Sequence, residues 1–267
     1  MKLYSYWIRE KFTVQTKDGP KEISCLGRSD QSPEEALLDA RRRREAVQNK
    51  ISGASPQPAD YDADIAEELI ERLNDKNAVT RNRYGALILN TESTTIIDID
   101  RHRRTFAEFL GLRKTPENKA AIMADMELLA ARPEYADFGF RIYETCKGMR
   151  VILNGHYLKP AGKESRTLMR RCNADPLFAL LCRKQDCYRA RLTPKPERIG
   201  FKRIPGRWPF EPQDDAAIKR WTALYTLESE GYAVCHHLRD IGAPQKPNMV
   251  IEYHDKITKA RSRLPLA

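Results

Sequence analysis

The stretch TTIIDID, residues 94–100, decides how the chain is read, because a β-branched, apolar run ends there in Asp98 and Asp100. On an extended chain, residues two apart share a face, with Cβ atoms about 6.6 Å apart. Asp98 and Asp100 therefore point one way, and Ile97 and Ile99 the other. Two ionised carboxylates about 6 Å apart repel by roughly 3 kcal/mol at an effective dielectric of about 20. Water, arginine or a cation must offset that repulsion. Mg²⁺ and Mn²⁺ prefer carboxylate oxygens, and a two-metal site needs carboxylates that bridge ions about 4 Å apart. Arg101, Arg103 and Arg104 follow at once and offer the other solution, ion pairing at a solvated strand end.

Working outward, RNRYGALILN (81–90) reads as a strand before this one, separated from it by Thr91-Glu92-Ser93. DADIAEELIERLN (62–74) reads as a helix. Helices are expected at about 104–112 and, capped by Thr115-Pro116-Glu117, to about Ala131. FRIYETCKGMRVIL (140–153) gives two strands around a Cys146-Lys147-Gly148 turn. At the other end, residues 3–28 read as a hairpin turning at Lys17-Asp18-Gly19-Pro20. Ser32-Pro33-Glu34-Glu35 then supplies an N-cap, a first-turn proline and a capping-box glutamate for a helix to about Ile51, with the stripe Ala36, Leu37, Ala40, Val47, Ile51.

The expected organisation is a hairpin-helix module over 1–51, a linker over 52–62 (SGASPQPADYD) and a basic α+β domain over 63–267. In that domain strands return after helices. This predicts a mixed or antiparallel sheet with helices on one face, the ferredoxin-like or split βαβ arrangement being one economical solution.

The chain's 267 residues carry 47 Lys+Arg against 37 Asp+Glu, a net charge of +10 that favours an anionic partner such as nucleic acid or nucleotides. No apolar run reaches the length of a membrane span and the first residues lack a signal-peptide core, so no membrane role and a cytoplasmic setting are expected. The most basic region is 165–208. In CYRARL (187–192), period two puts Arg189 and Arg191 on one face, placed to line a phosphate-binding groove, and Tyr188, Ala190 and Leu192 on the other. The cysteines lack the paired knuckles of a zinc finger, and FALLCRKQDC (178–187) reads as a helix with a buried cysteine.

Near the C-terminus, MVIEYHDKITKARSRLP (249–265) reads as a strand from Met249 to Ile251, with Asp255 near its end beside His254. A strand-borne Asp-x-Asp, a later hairpin with a basic turn, and a final apolar segment ending in Asp resemble the motif order of archaeo-eukaryotic primase-like proteins. The resemblance covers residues from about 80 to 267. It implies an RNA-recognition-like core, and Asp98, Asp100 and Asp255 as ligands of two Mg²⁺ or Mn²⁺ ions and hence as catalytic residues. The family's histidine motif is not matched, since Arg150 stands in the middle segment where that histidine is expected. Arginine is a permanently charged, bidentate phosphate donor, so Arg150 joins Arg189 and Arg191 as candidate nucleotide or phosphate ligands.

Two functions follow as expectations. One is a metal-dependent nucleotidyltransferase. The other is a non-catalytic nucleic-acid-binding or adaptor protein with a degenerate acidic site, whose N-terminal module is free to bind a partner protein. They differ in whether the three carboxylates converge on cations or pair with arginine.

Overall fold

The computed structural model describes residues 1–16, 19–51, 64–102, 106–110, 112, 114 and 116–267. The expected linker, the turn residues Lys17 and Asp18, and Arg103, Arg104 and Thr115 lie outside the described residues.

The N-terminal module is a two-stranded antiparallel ribbon, β1 (Tyr6–Thr16) and β2 (Gly19–Ser29), with helix α1 (Pro33–Ile51) laid on it. Ser32 caps the helix, its Oγ accepting the Glu35 N–H at 3.2 Å, as the sequence predicts. Ala36 and Ala40 are fully buried, and Gly27 is what lets them approach, because a Cβ at Gly27 would fall 1.9 Å from the Ala36 carbonyl oxygen. Along α1, where four arginines follow one another from 41 to 44, Arg41 and Arg42 are exposed while Arg44 reaches Glu10 on β1. The module meets later chain through Arg9, which donates to the carbonyls of Arg207 and Trp208, and through Lys11 on Glu211.

The expected helix at 62–74 is instead strand β3 (Glu68–Asn74), antiparallel to β4 (Asn77–Arg81). Its composition favours a helix locally, but tertiary pairing overrides a propensity of a few tenths of a kcal/mol per residue. Asn74 makes the turn, its Oδ1 accepting the Lys76 N–H at 2.9 Å and the Asn77 amide at 2.8 Å. The single strand expected at 81–90 is the end of β4, a turn and most of β5 (Leu87–Thr91). Asn82 Oδ1 holds that turn by accepting the N–H groups of Tyr84 and Ala86.

Strand β6 (Ile96–Ile99) follows, then a short helix α2 (Phe106–Phe109) and helix α3 (Asn118–Ala130), capped by Glu117. The hairpin β7 (Gly139–Thr145) and β8 (Met149–Asn154) forms where expected. Helices α4 (Lys163–Arg171) and α5 (Pro176–Gln185) lead to β9 (Tyr188–Arg191), and Cys182 is buried in α5 as read. Helix α6 (Asp215–Ser229), strand β10 (Cys235–Gly242) and helix α7 (Met249–Ile257) complete the chain.

The strand expected at Met249–Ile251 is thus a helix. Asn248 caps α7, its Oδ1 accepting from Val250 at 2.9 Å and Ile251 at 3.2 Å, and Val250, Ile251, His254, Asp255 and Thr258 form a buried stripe at helical spacing. Among the described residues no helix is long and apolar enough to cross a membrane.

The class is α+β, with antiparallel sheets in the orders β3-β4-β5-β9 and β10-β7-β8-β6. In the second sheet, alternation sorts the faces. Ile97, Ile99, Val151, Leu153, Phe140 and Ile142 share one face and belong to the same buried cluster as Ile122, Met126 and Leu129 of α3. Burying each such side chain contributes about 1.5–3 kcal/mol. The opposite face carries Asp98, Arg150, Arg141 and Tyr143.

Candidate functional site

Strand register builds the polar face. Asp98 of β6 stands opposite Arg150 of β8, Arg150 opposite Tyr143 of β7, and Tyr143 opposite His237 of β10, so one row of side chains crosses the whole sheet. Helix α7 lays His254 and Asp255 against this row.

Arg150 grips Asp98 through two contacts, Nε to Oδ1 at 2.8 Å and Nη2 to Oδ2 at 3.3 Å. Its Nη1 donates to the Arg191 carbonyl at 3.0 Å and lies 3.2 Å from His254 Nε2. A guanidinium has no acceptor, so Nε2 accepts. The proton of the neutral ring is then on Nδ1, which donates to Asp255 Oδ1 at 3.1 Å. Tyr143 O–H donates to the same oxygen at 2.6 Å, and Arg141 Nη2 donates to Oδ2 at 2.9 Å. Arg141 also bonds both oxygens of Asp240, its cross-strand neighbour on β10. The result is a continuous chain, Asp98–Arg150–His254–Asp255–Arg141–Asp240.

The electrostatics follow from burial and these partners. Burial pulls the Arg150 pKa down, but the charge and hydrogen bonds of Asp98 outweigh it and leave the guanidinium above its ordinary value. Burial drives His254 down to about 4 against the opposing pull of Asp255, so the ring is neutral at physiological pH. Burial would raise Asp255, yet the hydrogen bonds from His254 and Tyr143 hold it below the usual carboxylate range.

Two of the three carboxylates read as metal ligands, Asp98 and Asp255, therefore meet in one network, with arginine and histidine between them. Asp100 does not join it: the residue is exposed just past the end of β6, and its carbonyl accepts from Asn118. All four oxygens of Asp98 and Asp255 accept hydrogen bonds from these neighbours. Among the described residues no cluster of three His, Cys, Asp or Glu side chains is placed to hold a metal ion.

Of the residues read as phosphate ligands, Arg150 is 3 % exposed and fully engaged. Period two on β9 holds, with Tyr188 and Ala190 buried and Arg189 and Arg191 on the other face. Arg189 is tied to Glu67 beside β3. Arg191 has an enclosed Nη1 without a hydrogen-bond partner, and burial together with repulsion from Arg198 and Arg150 lowers its pKa to about 10.

The chain places a further basic group that the sequence reading passed over. Arg166 and Arg170, four apart on α4, and Arg183 on α5 line a cleft of about 390 Å³ with Met169, Ala179 and Leu180 among its apolar walls. All three are exposed, and none of their guanidiniums has a hydrogen bond or ion pair among the described residues, whereas Arg171 on the same helix is taken up by Glu134. The cleft adjoins the end of β6: Asp175 N–H donates to the Asp98 carbonyl and Asn173 to that of Arg101. The i,i+4 spacing of Arg166 and Arg170 was the available signal. Arg183 joins them only through the packing of α4 against α5.

Comparisons with known protein families, with curated proteins and with solved structures find no match for this chain.

Proposed function

We propose that the protein is a non-catalytic nucleic-acid-binding protein. In this reading the α4–α5 cleft takes the phosphate backbone, and the row from Asp98 to Asp255 is a structural clamp behind it. The observation that carries the reading is that Arg166, Arg170 and Arg183 surround one open cleft without any carboxylate to neutralise them. Three guanidiniums in one place repel one another, and an anion relieves that repulsion. Guanidinium matches phosphate geometry bidentately, and backbone contacts of this kind position a strand without reading its sequence. The basic balance of the whole chain, +10, adds long-range attraction.

The test is binding of a fluorescently labelled single strand and a labelled duplex, followed by anisotropy. Replacing Arg166, Arg170 and Arg183 together by Gln weakens binding of at least one of them by an order of magnitude or more. Arg189→Gln, which removes a guanidinium already held by Glu67, weakens it much less. Equal losses from both variants would move the interface away from the cleft.

A further inference from the structure

Against one face of α6, and sharing no wall with the α4–α5 cleft, lies a cavity of about 240 Å³. Folded interiors keep few voids larger than one water, about 30 Å³, so a space of this size is more than a packing defect. Its lining is mostly apolar, with Leu87, Trp221, Tyr225, Val234 and Ile257 supplying the hydrophobic surface.

The aromatic side is held in place. Trp221 and Tyr225, four apart on α6, stack with ring centroids 4.6 Å apart and planes at 16°. Trp221 Nε1 donates to the Lys202 carbonyl at 2.9 Å, and the Tyr225 hydroxyl donates to the Pro194 carbonyl. Gly85 lies against the indole, where a Cβ would fall 2.1 Å from the ring. The polar groups around the cavity are largely committed. Arg81 pairs with Glu68 and donates to Thr222 Oγ1 at 3.0 Å. Thr193 Oγ1 accepts the Leu87 N–H at 2.9 Å, and Lys259 Nζ donates to the Glu230 carbonyl at 2.6 Å. The Ser229 hydroxyl is enclosed beside Tyr225, while Thr226 and Glu230, the exposed members of the lining, mark the mouth.

We propose that this cavity binds a neutral aromatic molecule of one or two rings. Size sets the upper limit: an apolar cavity of about 150 Å³ stays dry and takes benzene, so 240 Å³ admits about ten non-hydrogen atoms. A charged ligand is disfavoured because both cations of the wall are already held, and a desolvated ion would find no free counterion inside. A nucleobase of the same size is disfavoured too, since its ring nitrogens and exocyclic groups would leave water without finding enough free donors and acceptors. An aromatic ring gains over an aliphatic one of equal size by meeting Trp221 and Tyr225 in edge-on or offset contact. Those rings are fixed before binding, so little has to be ordered when the ligand enters.

The test adds phenol, cyclohexanol, benzoate, indole and adenine separately to the full chain, and reads the melting temperature together with ligand-observed saturation-transfer NMR. Indole and phenol raise the melting temperature by a few degrees at saturation, because they bind the folded state alone. Phenol binds several-fold more tightly than cyclohexanol, while benzoate and adenine give no shift. Ile257→Phe, which fills the cavity, and Thr226→Trp, which narrows its mouth from an exposed position, each weaken indole by tenfold or more. Should Ile257→Phe fail to fold, Thr226→Trp gives the same reading without touching the core. No shift with indole or phenol, equal binding of phenol and cyclohexanol, binding of adenine or benzoate as tight as that of indole or phenol, or indole binding unchanged in Thr226→Trp would each overturn the proposal.

Discussion

Asp98 and Arg150 face each other across β6 and β8 in register, joined by two N–H···O contacts of 2.8 and 3.3 Å. That relationship explains why a buried strand ends in charge. Asp98 is the counterion of an arginine that the sheet has taken out of water, and Asp100, beyond the strand end, lies in solvent. Arg150 in turn fixes the tautomer of His254, which fixes Asp255, so the strand row and α7 are coupled by hydrogen bonds.

Removing the charge of Asp98 while keeping its size separates the two accounts of this pair. Asp98→Asn leaves the Arg150 cation buried without its counterion, and the expected loss is about 3 kcal/mol, because breaking one side of a buried pair exposes the desolvation cost of the other. Asp100→Asn, on an exposed side chain, stays within about 0.5 kcal/mol of wild type. Urea unfolding at neutral pH measures both. An Asp98→Asn protein as stable as the parent would show that the two carboxylates were relieved of mutual repulsion instead.

Added Mg²⁺ or Mn²⁺ should leave the melting temperature unchanged. An ion bound only by the folded chain would stabilise it by about 2.7 kcal/mol at one hundred times its dissociation constant, a shift of a few degrees. The arginine-held carboxylates offer no such gain. A reproducible rise in Tm that Asp98→Asn abolishes would mean that the carboxylates release arginine for a cation.

His254 sets the pH dependence. Its folded pKa, about 4, lies below the ordinary value of 6.5, so the unfolded chain binds the proton more readily. Stability is therefore fully present above pH 6.5 and is lost as pH falls toward 4, by on the order of 3 kcal/mol for this group. The depressed pKa of Asp255 acts in the same direction at lower pH. Urea midpoints taken across this range should fall steadily in wild type and flatten in His254→Gln. A wild-type midpoint that does not change between pH 6.5 and 4.5 would contradict the buried neutral imidazole.

What could be read from the sequence was what depends on near neighbours. The 94–100 strand, the hairpin at 140–153, the Ser32 cap and the alternation on β9 are visible because each burial pattern repeats within a few residues. The 62–74 segment reads as a helix because its Glu and Leu content favours one, while the pairing that makes it β3 lies with β4. The 249–251 run reads as a strand because three apolar residues in a row fit either state, and the Asn248 cap decides for the helix. The site itself was half legible. Asp98, Arg150 and Asp255 were each singled out, but the contact between Asp98 and Arg150 spans 52 positions and depends on sheet register. The meeting of Arg183 with Arg166 and Arg170 depends on how two helices pack.

The most direct test of the central claim is the salt dependence of nucleic-acid binding. For a single strand, the slope of log Kobs against log salt changes by about 0.7 per phosphate contact, so replacing Arg166, Arg170 and Arg183 by Gln should flatten it by about 2. Asp98→Asn, with the basic cleft untouched, should keep the wild-type slope. A triple variant that binds with the wild-type slope would contradict the account, because the three arginines would then release no counterions and the α4–α5 cleft would not be the interface.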